Sequence, residues 1–180
     1  MHACCGPCSM YPQEVLQGKD IDYDMLWYNP NIHPEFEFDR RLQNLRLAAE
    51  HYSVNLHEEG QCMEDYWLSG NYKDSYPSRC LMCYDMRMDM AAGYAAEHGF
   101  DSFSTSLLVS PYQQHESIIE ICKAKSQKYG IEFYYYDFRE GFRKGQQMAR
   151  DIGLYRQKFC GCIFSLNESE FKEKILKSMS

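Results

Sequence analysis

The sequence predicts an α/β fold, a three-layer and mostly parallel sheet with helices on both faces. Short aromatic and apolar runs recur along the chain and end in turn-forming residues, while the stretches between them carry apolar residues at helical spacing. Strands joined through helices need right-handed crossovers, which leave them parallel and covered on both sides. At 180 residues and 44% hydrophobic content, the chain is long enough to bury a core as one domain, 1–180. No internal repeat or low-complexity linker divides it.

Taken in order, the run at 23–30 is a buried strand closed by Asn29-Pro30. Residues 34–53 open on Pro34 and place Phe38, Leu42, Leu45 and Ala49 on one helical face. A second strand follows at 54–59 and a helix at 83–100, stopped near Gly99. The stretch 101–112 reads as a strand opening into a loop, then a helix from Gln114 to Tyr129, then a fourth strand at 131–139. Helices flank the segment 156–162. Ligands of such folds sit at the carboxyl ends of strands. That places Asn29-Pro30-Asn31, Ser110-Pro111-Tyr112 and Asp137-Phe138-Arg139 at the site. The chain begins almost at Cys4, so a strand ahead of that residue is expected to be very short or absent.

The formal net charge of −7 argues against a generally basic nucleic-acid coat. One local exception runs from Arg139 to Lys158, where Arg139, Arg143, Lys144, Arg150, Arg156 and Lys158 face only Glu140 and Asp151. A solvated helix face is the alternative reading of that stretch. No apolar run is long enough to cross a bilayer and no signal peptide is visible, so the expected location is the cytoplasm and no membrane partner is expected. In that compartment thiols stay reduced, and nine cysteines read as metal ligands or redox groups before structural disulfides.

Seven of the nine fall into three groups: Cys4, Cys5 and Cys8; Cys80 and Cys83; Cys160 and Cys162. Two residues between cysteines let both sulfurs converge on one ion, and helix N-termini favour the thiolate. Three such groups at predicted loop–helix junctions point to a metal centre. A structural zinc site made of the two Cys-x-x-Cys pairs would leave Cys4, Cys160 and Cys162 without a role, and 71 residues between Cys8 and Cys80 exceed the usual ribbon spacing of about 15–20. A cubane cluster takes four thiolates from scattered positions and leaves three for a second metal or a redox pair. Cys62 and Cys122 stand alone on helical patterns, as small buried residues do. The Cys-Gly-Pro-Cys at 5–8 is shared with thioredoxin-like sites, but the remaining chain lacks that pattern. There is no Ser-Gly-Gly-x-Asp-Ser loop, no Gly-x-Gly-x-x-Gly and no Cys-x-x-x-Cys-x-x-Cys.

The segments HACCGPCS, RCLMCYDMR, LLVSPYQ, YYYDFREGF and YRQKFCGC, in this order and across nearly the whole chain, resemble the QueH family of cobalamin-independent epoxyqueuosine reductases. One departure is at the start: family members usually carry several apolar residues ahead of the histidine, and here only Met1 precedes His2. The resemblance implies a fold related to the adenine nucleotide alpha hydrolases, with the phosphate loop replaced by the cysteine motif. It implies reductive removal of the epoxide oxygen of epoxyqueuosine at the wobble position of tRNA with a GUN anticodon. A 4Fe–4S cluster and an adjacent mononuclear iron are implied cofactors, and an electron donor not yet identified is an implied partner.

On that footing Cys5, Cys80, Cys83 and Cys162 are expected to hold the cluster. Cys4, Cys8 and Cys160 would hold or face the second iron, with Cys4 and Cys8 catalytic. Tyr112, Asp137 and Tyr155 are candidate proton donors, against packing for the tyrosines and a helix cap or an Arg139 pair for Asp137. Arg79, Arg87, Ser110, Arg139, Arg156 and Gln157 form the candidate substrate-binding set, with surface ion pairing as the alternative for the arginines. The family pattern also suggests that His2 bonds a cluster sulfur. Two other classes stay open: a zinc-stabilised RNA-binding module without catalysis, and an iron–sulfur electron carrier.

Overall fold

A computed structural model describes residues 1–178. Along it run α1 (Gly6–Gly18), β1 (Met25–Trp27), α2 (Glu35–Tyr52), β2 (Leu56–Glu58), α3 (Glu64–Ser69) and α4 (Arg79–Glu97). Then come β3 (Ser102–Phe103), α5 (His115–Tyr129), β4 (Glu132–Phe133), α6 (Phe142–Asp151), α7 (Ile163–Asn167) and α8 (Lys172–Lys177).

β1 pairs in parallel with β2, and β3 in parallel with β4. The first residues of the chain join these two ribbons. His2 bridges Leu26 on one side and Thr105 on the other, both in parallel. Ala3 N–H donates to Leu26 O at 2.9 Å, His2 N–H to Ser104 O at 2.8 Å, and Ser106 N–H to His2 O at 2.8 Å. The sheet therefore runs β2, β1, residues 1–3, β3, β4, all parallel. The strand ahead of the cysteines exists and is very short. Chain direction across the sheet reverses at this central segment, and a crevice opens there at the strands' carboxyl ends. Cys4 is the next residue.

Helices cover both faces. Met88, Ala91 and Ala95 of α4 and Ile118 of α5 pack with Leu26, Phe103 and Leu108 on one face. On the other, Phe38, Leu45 and Ala49 of α2 pack with Ala3, Met25 and Trp27. The alternation of Met25, Leu26 and Trp27 between the two cores is the period-two geometry of a strand buried on both sides. Met10 of α1, Ala48 of α2 and Ala149 of α6 close a further layer on the α2 side.

Local chemistry explains most boundaries. Ser78 caps α4 by accepting the Leu81 N–H, so this helix begins at Arg79 rather than 83, and Cys80 and Cys83 lie one turn apart on it. α5 ends on Gly130 in the left-handed conformation. The strands expected over 101–112 and 131–139 shrink to two residues each, because a strand extends only while a neighbour pairs with it and the central segment leaves the sheet after Ala3. α3 was not foreseen. Cys122 is fully buried on α5 as expected, whereas Cys62 lies in the loop before α3 with its thiol on Ile32 O at 3.3 Å. Among the described residues no helix is long and apolar enough to cross a membrane.

Candidate metal centre

The central segment delivers Cys4, Cys5 and Cys8 to the crevice. Cys5 is extended and precedes α1, Pro7 occupies its first turn, and Cys8 follows within that turn. The close approach of α1 to α2 depends on Gly6, where a Cβ would come within 2.6 Å of the Asn44 carbonyl oxygen. The three sulfurs all lie within 4.8 Å of one another, the one group of three or more Cys, His or carboxylate ligand atoms drawn so close among the described residues. Cys4 is the member most ready to ionise: hydrogen bonds from Cys5 and Cys8 hold its thiol well below the usual range. Burial pushes Cys5 up, and the bonds to its two neighbours push Cys8 up. Gln157 donates its side-chain amide to Cys5 Sγ at 3.0 Å and Cys8 Sγ at 3.2 Å.

Opposite stands a second group, Cys80 and Cys83 on α4 and Cys160 and Cys162 on the loop before α7. Burial comes first in raising Cys80, followed by charge repulsion with Cys160. Burial pushes Cys83 up to about 12 against the pull of Arg87. Arg87 is itself buried, donates its Nε–H to Cys83 O at 3.2 Å, and makes no carboxylate pair; its charge bears on Cys83, Cys4 and Cys160. A buried guanidinium without a carboxylate is costly unless negative charge gathers beside it, and ionised thiols would supply that charge. No disulfide joins any cysteine.

Between the two groups lies a cavity of about 430 Å³, lined by Cys4, Cys8, Cys80 and Cys160 together with Tyr84 and Arg87. The donor set is all thiol, from both sides of one cavity, with a buried cation in the wall. Such soft ligands suit iron–sulfur chemistry or zinc, and an open face is what separates a reactive site from a closed structural one.

Of the residues singled out from sequence, Arg87, Ser110, Tyr112 and Gln157 line this cavity with the four cysteines. Cys5, Cys83 and Cys162 are buried and do not line it. The other candidates lie elsewhere. Asp137 accepts the backbone and side-chain N–H groups of Arg139, which hold its carboxyl at about 2, so it is an ionised cap and not an acid at neutral pH. Arg139 is tied up in the same pair. Tyr155 donates to Glu37 Oε2 at 3.1 Å under the Arg40 guanidinium. Arg79 pairs with Glu168 and lies over Phe164. Arg156 is exposed, outside the cavity lining. His2 bonds Thr105 Oγ1 and Tyr28 O rather than a sulfur; it is a strand residue.

Sequence reasoning missed three residues. Tyr84, next to Cys83, donates its hydroxyl to Gln113 Oε1 at 2.6 Å, and Gln113 Nε2–H reaches Cys160 Sγ at 3.6 Å. Arg41 reaches the backbone of Phe159 and Cys160 from α2. Only Tyr84 carried a signal, its place one residue after a ligand-type cysteine.

Fold and site together define a thiol-rich enzyme built on a doubly wound parallel sheet. A family profile described as epoxyqueuosine reductase QueH matches residues 1–168. The epoxyqueuosine reductase QueH of Dehalococcoides mccartyi is 36% identical over 166 residues, covering 92% of this chain and 90% of that protein. Those of Thermotoga maritima (33% over 180 residues; 96% and 92% covered) and Acinetobacter baylyi (34% over 176 residues; 94% and 80% covered) are similar over comparable lengths. The chain belongs to the QueH family.

Proposed function

We propose that residues 1–180 act as one catalytic domain, a cytoplasmic epoxyqueuosine reductase. It takes tRNA with a GUN anticodon carrying epoxyqueuosine and returns queuosine. The observation that carries this is the family match over 1–168 joined to a cavity lined by Cys4, Cys8, Cys80 and Cys160. In the reaction both C–O bonds of the epoxide break, a carbon–carbon double bond forms, and the oxygen leaves as water. Two electrons from a donor not yet identified and two protons balance the step.

The donor set fits a 4Fe–4S cluster and an adjacent iron. Cys80, Cys83, Cys162 and Cys5 would hold the first, and Cys4, Cys8 and Cys160 would hold or face the second. When bound, these groups supply single electrons and a Lewis acid for the epoxide oxygen. The chain's own part is electrostatic and protonic. Arg87 offsets the negative charge of the assembled thiolates from within the wall. Tyr84, pushed up to about 12 by burial, keeps its proton at neutral pH at the cavity face. Its hydroxyl is held on Gln113 Oε1, whose amide N–H reaches Cys160, which orients the phenol at the cavity as a proton donor for the departing oxygen. Tyr112 and Ser110 stand at the cavity wall as contacts for the nucleoside, and the exposed cations of 143–158 meet the tRNA phosphates.

A zinc-stabilised module would close its site rather than line a cavity with four sulfurs, and an electron carrier needs no chamber for a substrate. Anaerobic incubation of the iron-loaded protein with epoxyqueuosine-containing tRNA and a chemical reductant, followed by mass analysis of the nucleosides, tests the proposal. Queuosine is the expected product. Unchanged epoxyqueuosine with a brown, iron-loaded protein overturns it.

A further inference from the structure

One face of α2 grips the segment that carries Gln157 and Cys160. Glu37, Arg41 and Asn44 follow one another at helical spacing. Arg41 is 1% exposed and Glu37 wholly buried. The arginine spends all three arms of its fork: Nε–H on Glu37 Oε1 at 2.6 Å, Nη1–H on Cys160 O at 2.9 Å and Nη2–H on Phe159 O at 3.0 Å. Further along the helix, Asn44 Oδ1 accepts the Tyr155 N–H at 2.7 Å, while the Tyr155 hydroxyl donates to Glu37. The stretch 155–160 is thus fastened at both ends, with Gln157 between the fastenings and its amide on Cys5 and Cys8. Gly161 completes the fit: its φ is +139, and a Cβ there would sit 3.1 Å from Arg41 Nη1.

A buried ion pair is weak as a source of stability, because desolvating both charges offsets their attraction. Its value lies in geometry: only a planar fork reaches two successive carbonyl oxygens and a carboxylate at once. We infer that Arg41, oriented by Glu37, is the positioning residue of the site, setting Gln157 against Cys5 and Cys8 and turning Cys160 into the cavity. It touches no reacting atom and acts through the segment it holds.

The test measures thiol alkylation, cysteine by cysteine, in the full-length chain after iron removal by a chelator. Cys122, buried in the α5 core, serves as the internal reporter of global folding. Arg41→Lys keeps the charge and the Glu37 pair but loses the fork. In Glu37→Leu/Arg41→Met apolar side chains replace the whole pair, a change that buried pairs tolerate. Both variants are expected to label Cys5, Cys8 and Cys162 about tenfold faster than the parent, as loss of one charge-assisted bond implies, with Cys122 still protected. In the iron-loaded chain the same variants shift the midpoint potential negative, because N–H···S bonds from Gln157 stabilise the reduced state.

Parental labelling of Cys5 and Cys8 in either folded variant overturns the inference. So does loss of Cys122 protection in both, which would make the pair a support for the whole fold. The metal arm rests on the proposed function. The labelling arm does not, so failure of the reductase reading and failure of the positioning role are read separately.

Discussion

The side-chain nitrogen of Gln157 stands 3.0 Å from the sulfur of Cys5, across almost the full length of the chain, and the same amide reaches Cys8. We expect Gln157 to serve the thiols rather than the nucleoside. Gln157→Leu is expected to lower kcat by about tenfold or more, the worth of hydrogen bonds to charged acceptors, with KM for the tRNA within about twofold. A rise in KM at unchanged kcat would restore the substrate-contact role.

Tyr84 and Tyr112 divide the roles that a list of tyrosines cannot. Tyr112 is 83% exposed and meets Phe142 edge-on at 5.7 Å between ring centroids. A phenol so open to water is a stacking surface. Tyr112→Phe is expected to leave turnover intact, and Tyr112→Ala to weaken tRNA binding by about 5- to 150-fold, the range of a lost base–aromatic stack. Tyr84→Phe is expected to slow turnover by about a hundredfold while iron content holds, a loss typical of a proton-transfer group. Single-turnover rates and filter binding on the same preparations distinguish the two.

Binding of the tRNA is expected to weaken with salt. Within 139–158, Arg139 is committed to Asp137, Lys144 to Glu14 and Arg150 to Gln147, which leaves Arg143, Arg156 and Lys158 as the exposed cations for phosphate contact. Three contacts on a single-stranded loop imply a slope of about −2 in log affinity against log salt. Arg156→Gln/Lys158→Gln should flatten it, whereas Arg79→Gln, whose guanidinium is spent on Glu168, should not. Equal affinity at low and high salt would remove the basic segment from the interface.

The loop that carries Cys160 and Cys162 is also tied to a neutral histidine. His33 is fully buried, donates Nε2–H to Pro30 O and accepts the Ile163 N–H at Nδ1, both at 3.0 Å. Burial holds its pKa down to about 4. The unfolded chain binds that proton near 6.5 and the folded chain only near 4, so folding stability falls as pH drops through this window and levels off below it. Urea midpoints of the iron-free protein from pH 7 to 4 are expected to fall more steeply for the parent than for His33→Gln. Parallel curves would show that His33 takes its proton as readily folded as unfolded.

The sequence revealed the sheet class and the cysteines for the same reason: both are written in residue type and local spacing. Only Cys4 to Cys8 directly follow a strand; Cys80 and Cys83 open α4, and Cys160 and Cys162 lie between α6 and α7. What stayed illegible depended on side-chain direction at long range. Nothing near Arg41 announces that its fork will meet carbonyl groups more than a hundred residues later, and Tyr84 looks like any of 15 tyrosines until Gln113 is beside it. Asp137 misled because a carboxylate at a strand end fits a general acid as well as a cap; the neighbouring Arg139 N–H groups decide it. The strands were read too long because an apolar run shows what a segment can bury, not how far its neighbour continues.

The three-residue middle of the sheet ties the two ribbons into one. β1–β2 and β3–β4 are joined into one sheet through His2, which bridges Leu26 and Thr105. Cys4 to Cys8 follow directly on that seam, while the Cys160 backbone is held by Arg41 of α2. Cysteines from the two ends of the sequence therefore stand at one cavity only in the closed fold.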